Sequence, residues 1–336
     1  MLSKSEHFQK RKYLQMKLIP QPTCPNISDF LQELDERKDN YNRTLAWLHS
    51  FKLISINDIS SSVFSLFNKY QNILSMPGIS NDPFQHLIDS DKYLIQADTD
   101  RSSYWFYKLM DQIGFNSESN VDKINNVKRI LSIIKILTGV YLQGYERYAC
   151  ISFLLAYEFA SSIDEDEHFA EAIGFFICDS FLKIVNINRL VTDVNLTKAI
   201  FEKMDKRIKK IHPVEYEAMY KMNVTSIYYG LKWQLLTFAD EYPSFFDILL
   251  LWDQIIVHKD IYDEYIFELC ITHVKQIKFD SDSLYIETIQ NKRDWNVKEV
   301  IRQTNQVFEH KNQIKILALS IFIAFFVIAL YNKIFN

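Results

Sequence analysis

Glycine and proline are scarce in this chain: 6 Gly and 7 Pro among 336 residues, where average usage is about 7% and about 5%. With so few turn-formers and helix-breakers, tight turns are few and most of the chain is expected in long helices. The four cysteines, Cys24, Cys150, Cys178 and Cys270, are scattered, with no CxxC pair and no histidine at ligand spacing. That argues against a zinc site or a disulfide framework and for reduced, mostly buried thiols in a cytosolic domain. Neither sign of charge is in excess: the net is −4, so nothing draws the whole chain to nucleic acid or anionic lipid. There is no GxxxxGKS/T loop and no GxGxxG, hence no nucleotide site of a familiar kind. HExxH and GxSxG are also missing, and the eight histidines are dispersed. No nucleophile–base or metal constellation can be assembled, which disfavours a self-contained hydrolase. Residues 1–17 are basic and lack the apolar run of about 7–15 residues that a signal peptide requires. The four Asn-x-Ser/Thr matches, at Asn26, Asn42, Asn195 and Asn223, would matter only in a lumenal domain.

What the chain does have is apolar mass. Hydrophobic residues make up 48% and aromatics 15%, enough for a thick helical core in one large domain or two small ones. Residues 1–44 read as a polar helical lead-in broken by Pro20, Pro22 and Pro25, with Ser28 as the N-cap of one short helix. From 45 to 67, Trp47, Phe51, Val63, Phe64 and Phe67 supply buried mass, and Met76-Pro77-Gly78 with Asp82-Pro83 marks a loop. Val127, Ile130, Leu131, Ile134 and Leu137 follow helical spacing, and Gly139 sits where a helix C-cap belongs. Further helices are expected over 165–182 and 198–210, the first behind the acidic run Asp164–Glu167, which a helix N-terminus favours. The basic cluster Lys203, Lys206, Arg207, Lys209 and Lys210 is a solvated helix face or, less simply, a docking face. Two packed helices flanking Pro243 account for 228–253, and the polar stretch 280–313 reads as a peripheral helix plus linker.

The C-terminal stretch Ile316–Tyr331 is an apolar run with Ser320 as its one polar side chain before Tyr331. Lys315 and Lys333 bracket it; snorkelling of these lysines extends the span to 314–334, near the roughly 20 residues that a bilayer crossing needs. A membrane anchor is the expectation, since the run is apolar on every face, which a core helix covered on one side does not require. Its shortness suits a thin membrane such as the endoplasmic reticulum.

The organising stretch is Tyr141-Leu142-Gln143-Gly144-Tyr145-Glu146, a polar segment at the mouth of an apolar helix. Gln143 stands beside the one residue type that permits close backbone approach or positive φ. Its amide is no acid or base, but it donates and accepts at once and so orients a water or a phosphate. Upstream, Ile95-Gln96-Ala97-Asp98-Thr99-Asp100-Arg101 offers an arginine near a carboxylate. Arginine and glutamine aimed at one point are equipment for assisting phosphoryl transfer from a nucleotide bound elsewhere. Taken singly, Arg101 is equally a surface residue paired with Asp98, and Gln143 a polar helix end.

These residues resemble the motifs of the TBC-domain family, the GTPase-activating proteins of Rab GTPases. Ile95-x-x-Asp98-x-x-Arg101 matches the arginine-finger motif of that family and Tyr141-x-Gln143-Gly144 its glutamine-finger motif. Lys232-Trp233 followed by Leu251-Trp252-Asp253 looks like its C-terminal signature. The resemblance covers roughly 45–280 plus the anchor, and Gln143-Gly144-Tyr145 is similar to a membrane-anchored branch that acts at the endoplasmic reticulum on Rab1-type GTPases. Two departures stand out: Ser60 and Phe64 replace an Arg and a Trp, which bears on stability, and Glu146 replaces a His, which bears on Rab choice and activity.

The resemblance implies an all-α TBC domain of two helical subdomains over 45–280, between an extension 1–44, a linker 281–313 and a transmembrane helix 314–334. It implies no cofactor of the chain's own, GTP and Mg²⁺ arriving with a Rab in its GTP state, and no nucleic-acid partner. Arg101 would neutralise charge on the transferring group and Gln143 would orient the attacking water. Asp98 would fix the arginine loop; Ile95, Tyr141, Gly144, Tyr145 and Glu146 would support the site or touch the Rab. Trp233, Trp252 and Asp253 would be structural. Residues 1–313 would face the cytosol from an endoplasmic reticulum or early Golgi membrane. A catalytically inactive scaffold that binds a Rab or a membrane partner is the alternative.

Overall fold

The computed structural model describes residues 40–79, 82–115, 122–279 and 285–310. The expected lead-in helix behind Ser28 and the expected span 314–334 lie outside the described residues, among which no helix is long and apolar enough to cross a membrane. The described residues form helices and no strand.

The first set of helices is α1 (Asn40–Ser50), α2 (Ile59–Leu74), α3 (Asp89–Gln112), α4 (Ile124–Thr138), α5 (Tyr145–Ser162) and α6 (Glu167–Val185). The expected helical mass over 45–67 is thus two helices, since 51–58 turns between α1 and α2. Asp58 caps α2 by accepting from the Ser61 N–H at 3.3 Å, and Val63, Leu66, Tyr70 and Leu74 bury one face of it. Ser60 and Phe64 are half-buried, Phe64 packing on Phe169 at 5.6 Å between rings. The apolar phase of 127–137 is α4, which closes at Gly139 with φ +71°. Asp166, inside the acidic run, caps α6 by accepting from the Phe169 N–H at 3.0 Å. The axis of the set is α5, apolar on nearly every face and therefore enclosed; it packs on α1, α3, α4 and, most extensively, α6.

The second set is α7 (Asn188–Thr192), α8 (Val194–Ile211), α9 (Pro213–Lys221), α10 (Ile227–Leu235), α12 (Tyr262–Lys275) and α13 (Tyr285–Asn291), which pack chiefly on one another. On α8, Lys203, Lys206, Lys209 and Lys210 are exposed, while Arg207 reaches Glu268 at 3.4 Å. A last helix over 297–310, here α14, packs on α12 through Thr272 and Tyr265 and on Gln254. Val297, Val300 and Phe308 fall on one face with Thr304 and are buried, while Ile301 and Val307 are half-buried, so a polar composition hides a packed helix. Tyr265 donates to Asn305 at 2.8 Å across that contact.

Between the two sets runs α11 (Phe245–Val257), which packs on both α1 and α12. There Asp253, wholly buried, accepts from Arg43 Nε at 3.0 Å and from Trp47 Nε1 at 2.6 Å. Burial pushes this carboxyl up to about 6, with Arg43 and Trp47 pulling the other way. Trp252 beside it stacks on Phe181 at 4.5 Å and Tyr148 at 5.3 Å. Removing one partner of such a pair strands the other charge out of water. Asp253→Ala is expected to cost about 3–5 kcal/mol in denaturant unfolding, and the double variant Arg43→Met/Asp253→Leu less than Asp253→Ala alone. A double variant that is the weaker of the two would contradict the pairing.

His273, also wholly buried, accepts from Tyr242 Oη at 2.8 Å through Nε2 and donates from Nδ1 to the Leu269 carbonyl at 2.7 Å. Burial lowers it from 6.5 to about 3, the Leu269 hydrogen bond opposing. The folded value is depressed, so this stability is complete above pH 6.5 and drains away as the pH falls toward 3. Each pH unit in that window costs about 1.4 kcal/mol. His273→Gln should flatten the fall in unfolding free energy between about pH 6.5 and 5 by roughly 2 kcal/mol; parallel curves for wild type and variant would refute the assignment.

Candidate functional site

Ile95, Asp98 and Arg101 are spaced three apart on α3, so they lie along one side of a helix. Their depths differ. Ile95 is fully buried in the core and Asp98 nearly so, whereas the Arg101 side chain is 62% exposed. The expectation of an arginine loop is corrected here: Arg101 stands in the middle of a 24-residue helix, because Ile95, Asp98, Ser102 and Phe106 bury a continuous helical face. Asp98 Oδ1 accepts from Arg101 Nη2, and its other oxygen accepts from the Tyr141 hydroxyl at 2.7 Å. One carboxylate therefore ties the exposed arginine to the segment that carries Gln143. Burial, the Glu146 charge and the Asp98 hydrogen bond all push the Tyr141 phenol well above its ordinary value, so it remains a donor.

Gln143 is exposed and directly precedes Gly144, which has φ +106° and opens α5 as its N-cap residue. The conformation calls for glycine, and a β-carbon there would also lie 2.7 Å from Leu236 Cδ2, a side-chain end that would have to shift. Tyr145 is buried, its ring edge-on to Tyr141 at 5.9 Å. Glu146, 7% exposed, accepts from the Gly144 N–H at 2.7 Å.

Opposite, the wall comes from α7, α10 and the loop after it. Arg101 and Gln143 line one cleft of about 710 Å³ with Leu142, Gly144, Glu146, Val191, Tyr228, Leu231, Lys232 and Leu236 among its walls. Apolar surface exceeds polar surface there, and Tyr228 and Val191 are more than half exposed. The loop turns without glycine: Thr237 and Phe238 both have positive φ, +48° and +60°, a costly conformation for such residues. It is held by Tyr148, whose hydroxyl donates to the Leu235 carbonyl at 2.8 Å, and by Trp252 Nε1, which donates to the Thr237 carbonyl at 3.0 Å.

Sequence reasoning did not single out Arg147, Ser102, Trp105 or Asp240. Arg147 lies over the Trp105 ring at 4.4 Å and donates to Asp240 and Ser102, each at 2.5 Å. Burial alone would lower its basicity, yet Asp240 and Glu146 outweigh that and raise it. The available signal was an arginine at the head of an otherwise apolar helix. Lys232 reaches Asp240 at 3.5 Å and Glu241 at 3.1 Å. Trp233, Trp252 and Asp253, by contrast, do not line the cleft and belong to the core.

Of the cleft's cations, Arg147 and Lys232 are engaged by carboxylates, while Arg101 gives one corner of its guanidinium to Asp98 and keeps other donors for solvent. An accessible guanidinium and an accessible amide on the same rim suit an anionic group and a water brought by something large enough to fill the cleft.

The structure is similar to the crystal structure of the Ypt/Rab-GAP domain of Gyp1p, with a TM-score of 0.64 and 14% sequence identity, over 91% of this chain and 99% of that one. At that identity the likeness is one of fold. No protein-family model and no curated protein matches the chain.

Gly144→Ala adds both the positive-φ strain and the approach to Leu236, whereas Gly139, also at positive φ, has open space at its β-carbon. Gly144→Ala is expected to cost about 1–2 kcal/mol and Gly139→Ala about 1 kcal/mol or less in denaturant unfolding. Equal costs would mean that Leu236 imposes nothing on the turn.

Proposed function

We propose that this chain is a GTPase-activating protein for a Rab-family GTPase. The observation that carries the reading is the placement of Arg101 and Gln143 on one cleft, linked through Asp98 and Tyr141. The likeness of the fold to a Ypt/Rab-GAP domain supports it. The partner, in its GTP state, brings GTP and Mg²⁺. Arg101 extends its remaining N–H donors to the oxygens of the phosphoryl group being transferred and offsets the charge that develops there. Gln143 orients the attacking water with its amide, accepting from it and donating toward the phosphoryl group. Asp98 sets the reach of Arg101 from a helix that does not need to move. Leu142, Val191, Tyr228 and Leu231 cover the partner's contact surface and exclude water from the reaction.

At a finer level the proposal places the chain with the membrane-anchored branch of the TBC family, favouring a Rab1-type substrate. Gln143-Gly144-Tyr145 and the apolar run within 314–334 support that placement. The chain then acts at the endoplasmic reticulum or early Golgi, anchored in the bilayer with 1–313 cytosolic, and controls vesicle traffic.

The test is single-turnover GTP hydrolysis by a panel of purified Rabs, with the full chain as wild type, Arg101→Ala and Gln143→Ala. Loss of an arginine finger is expected to cost about 10³–10⁵ in stimulated rate, and Gln143→Ala to abolish stimulation. Unfolding midpoints should hardly move for Arg101→Ala, since an ion pair this exposed is worth about 0–1 kcal/mol. Full stimulation by Arg101→Ala would defeat the proposal; binding of a GTP-loaded Rab with no stimulation by wild type would replace it with a scaffold role.

A further inference from the structure

Glu146 is a buried carboxylate that this mechanism leaves without a task. It is the second residue of α5, 7% exposed, and its Oε2 accepts from the Gly144 N–H at 2.7 Å while Oε1 lies 4.0 Å from Arg147 Nη1. The amide it holds is one of the donors that a helix N-terminus leaves unsatisfied, and a glutamate reaching back to it behaves as in a capping box. The same amide also shares its peptide plane with the carbonyl of Gln143. Fixing it fixes the backbone on the C-terminal side of Gln143, just as the Tyr141 bond to Asp98 fixes the N-terminal side.

We infer that Glu146 is a positioning residue for Gln143, acting through the Gly144 amide and touching neither water nor nucleotide. Three observations bear on this. Gly144 is in a conformation that the backbone does not hold by default, with φ +106°, so a clamp on its N–H has something to restrain. The bond is made in a buried setting, where a lost partner leaves a donor unsatisfied. The carboxylate is kept there at a cost: burial raises its pKa and the Asp98 charge adds to that, with Arg147 in opposition. An acceptor oxygen at this position is what the inference requires, so an amide should serve nearly as well as a carboxylate.

The kinetic arm of the test rests on the GTPase-activating reading, and a second arm does not. In the full chain, Glu146→Gln keeps the acceptor, Glu146→Asp shortens it by one methylene, and Glu146→Met removes it. Hydrogen exchange at the Gly144 amide should accelerate about tenfold or more in the Met variant and stay near wild type in the Gln variant, with Asp between them. In single-turnover hydrolysis, the Met variant should lose about tenfold or more in stimulated kcat, since small misplacements of a reacting group carry such penalties. Its KM for the GTP-loaded partner should stay within about twofold, and Gln should restore kcat. If the Met variant does not fold, the Asp and Gln pair decides by the same ordering. Unchanged Gly144 exchange overturns the inference whatever the kinetics, and so does equal loss of kcat in Gln and Met. Wild-type chain that stimulates no Rab would sink the activating reading alone, leaving the exchange arm to judge Glu146.

Discussion

Asp253 and the two side chains that reach it hold the architecture together. α1 and α11 are 210 positions apart at the Arg43–Asp253 pair, and α11 is the helix that packs on both helix sets. The cleft lies between those sets: Arg101 and Gln143 come from the first, and Val191, Tyr228, Leu231 and Lys232 from the second. That buried ion pair, at a distance from the cleft, fastens α1 to the helix that packs on both sets. A fully desolvated pair is weak as a source of net stability; what its directional hydrogen bonds join is α1 and α11. The indole N–H of Trp47 supplies the second donor beside Arg43 Nε and adds a further constraint on that setting.

Within the site, two residue types are presented in mechanically different ways. Arg101 is a long side chain on a continuous helix whose buried face, from Ile95 to Phe106, is locked in the core. Gln143 is a shorter side chain on a turn whose form depends on Tyr141 and Gly144. Asp98 joins them, because its two oxygens answer to one residue of each. That helps explain why a nearly buried carboxylate accompanies an exposed arginine here: it serves the turn as much as the guanidinium.

Legibility in the sequence followed the range of the interactions. The α4 phase with Gly139, the acidic cap of α6 and the break at Pro243 are local, and all could be read from a few consecutive residues. So could the polar mouth of α5 at Gly144. The setting of Arg101 was misjudged because α3 is amphipathic only weakly, with Tyr93, Leu94 and Tyr104 exposed and Asp98 and Thr99 buried. Its helix is made by tertiary packing rather than by pattern. The stretch 285–310 concealed its role for a related reason: Ile289, Trp295, Val297, Val300 and Phe308 are few, but each lies where the core needs it. Arg147 and Asp240, 93 positions apart, had no sequence signal that tied one to the other.

The glycine-free turn at Thr237–Phe238 gives this geometry a particular temperament. A loop that bends through left-handed backbone on a threonine and a phenylalanine relaxes as soon as its supports leave. Those supports, Tyr148 and Trp252, belong to the stacked aromatic interior that also includes Phe181 and Trp47. The wall carrying Leu236 and Asp240 is therefore a cast of the interior rather than a hinged lid. A void or a bulge introduced deep among those rings would surface as an altered mouth, so that the contour a partner meets is drafted by residues it never touches.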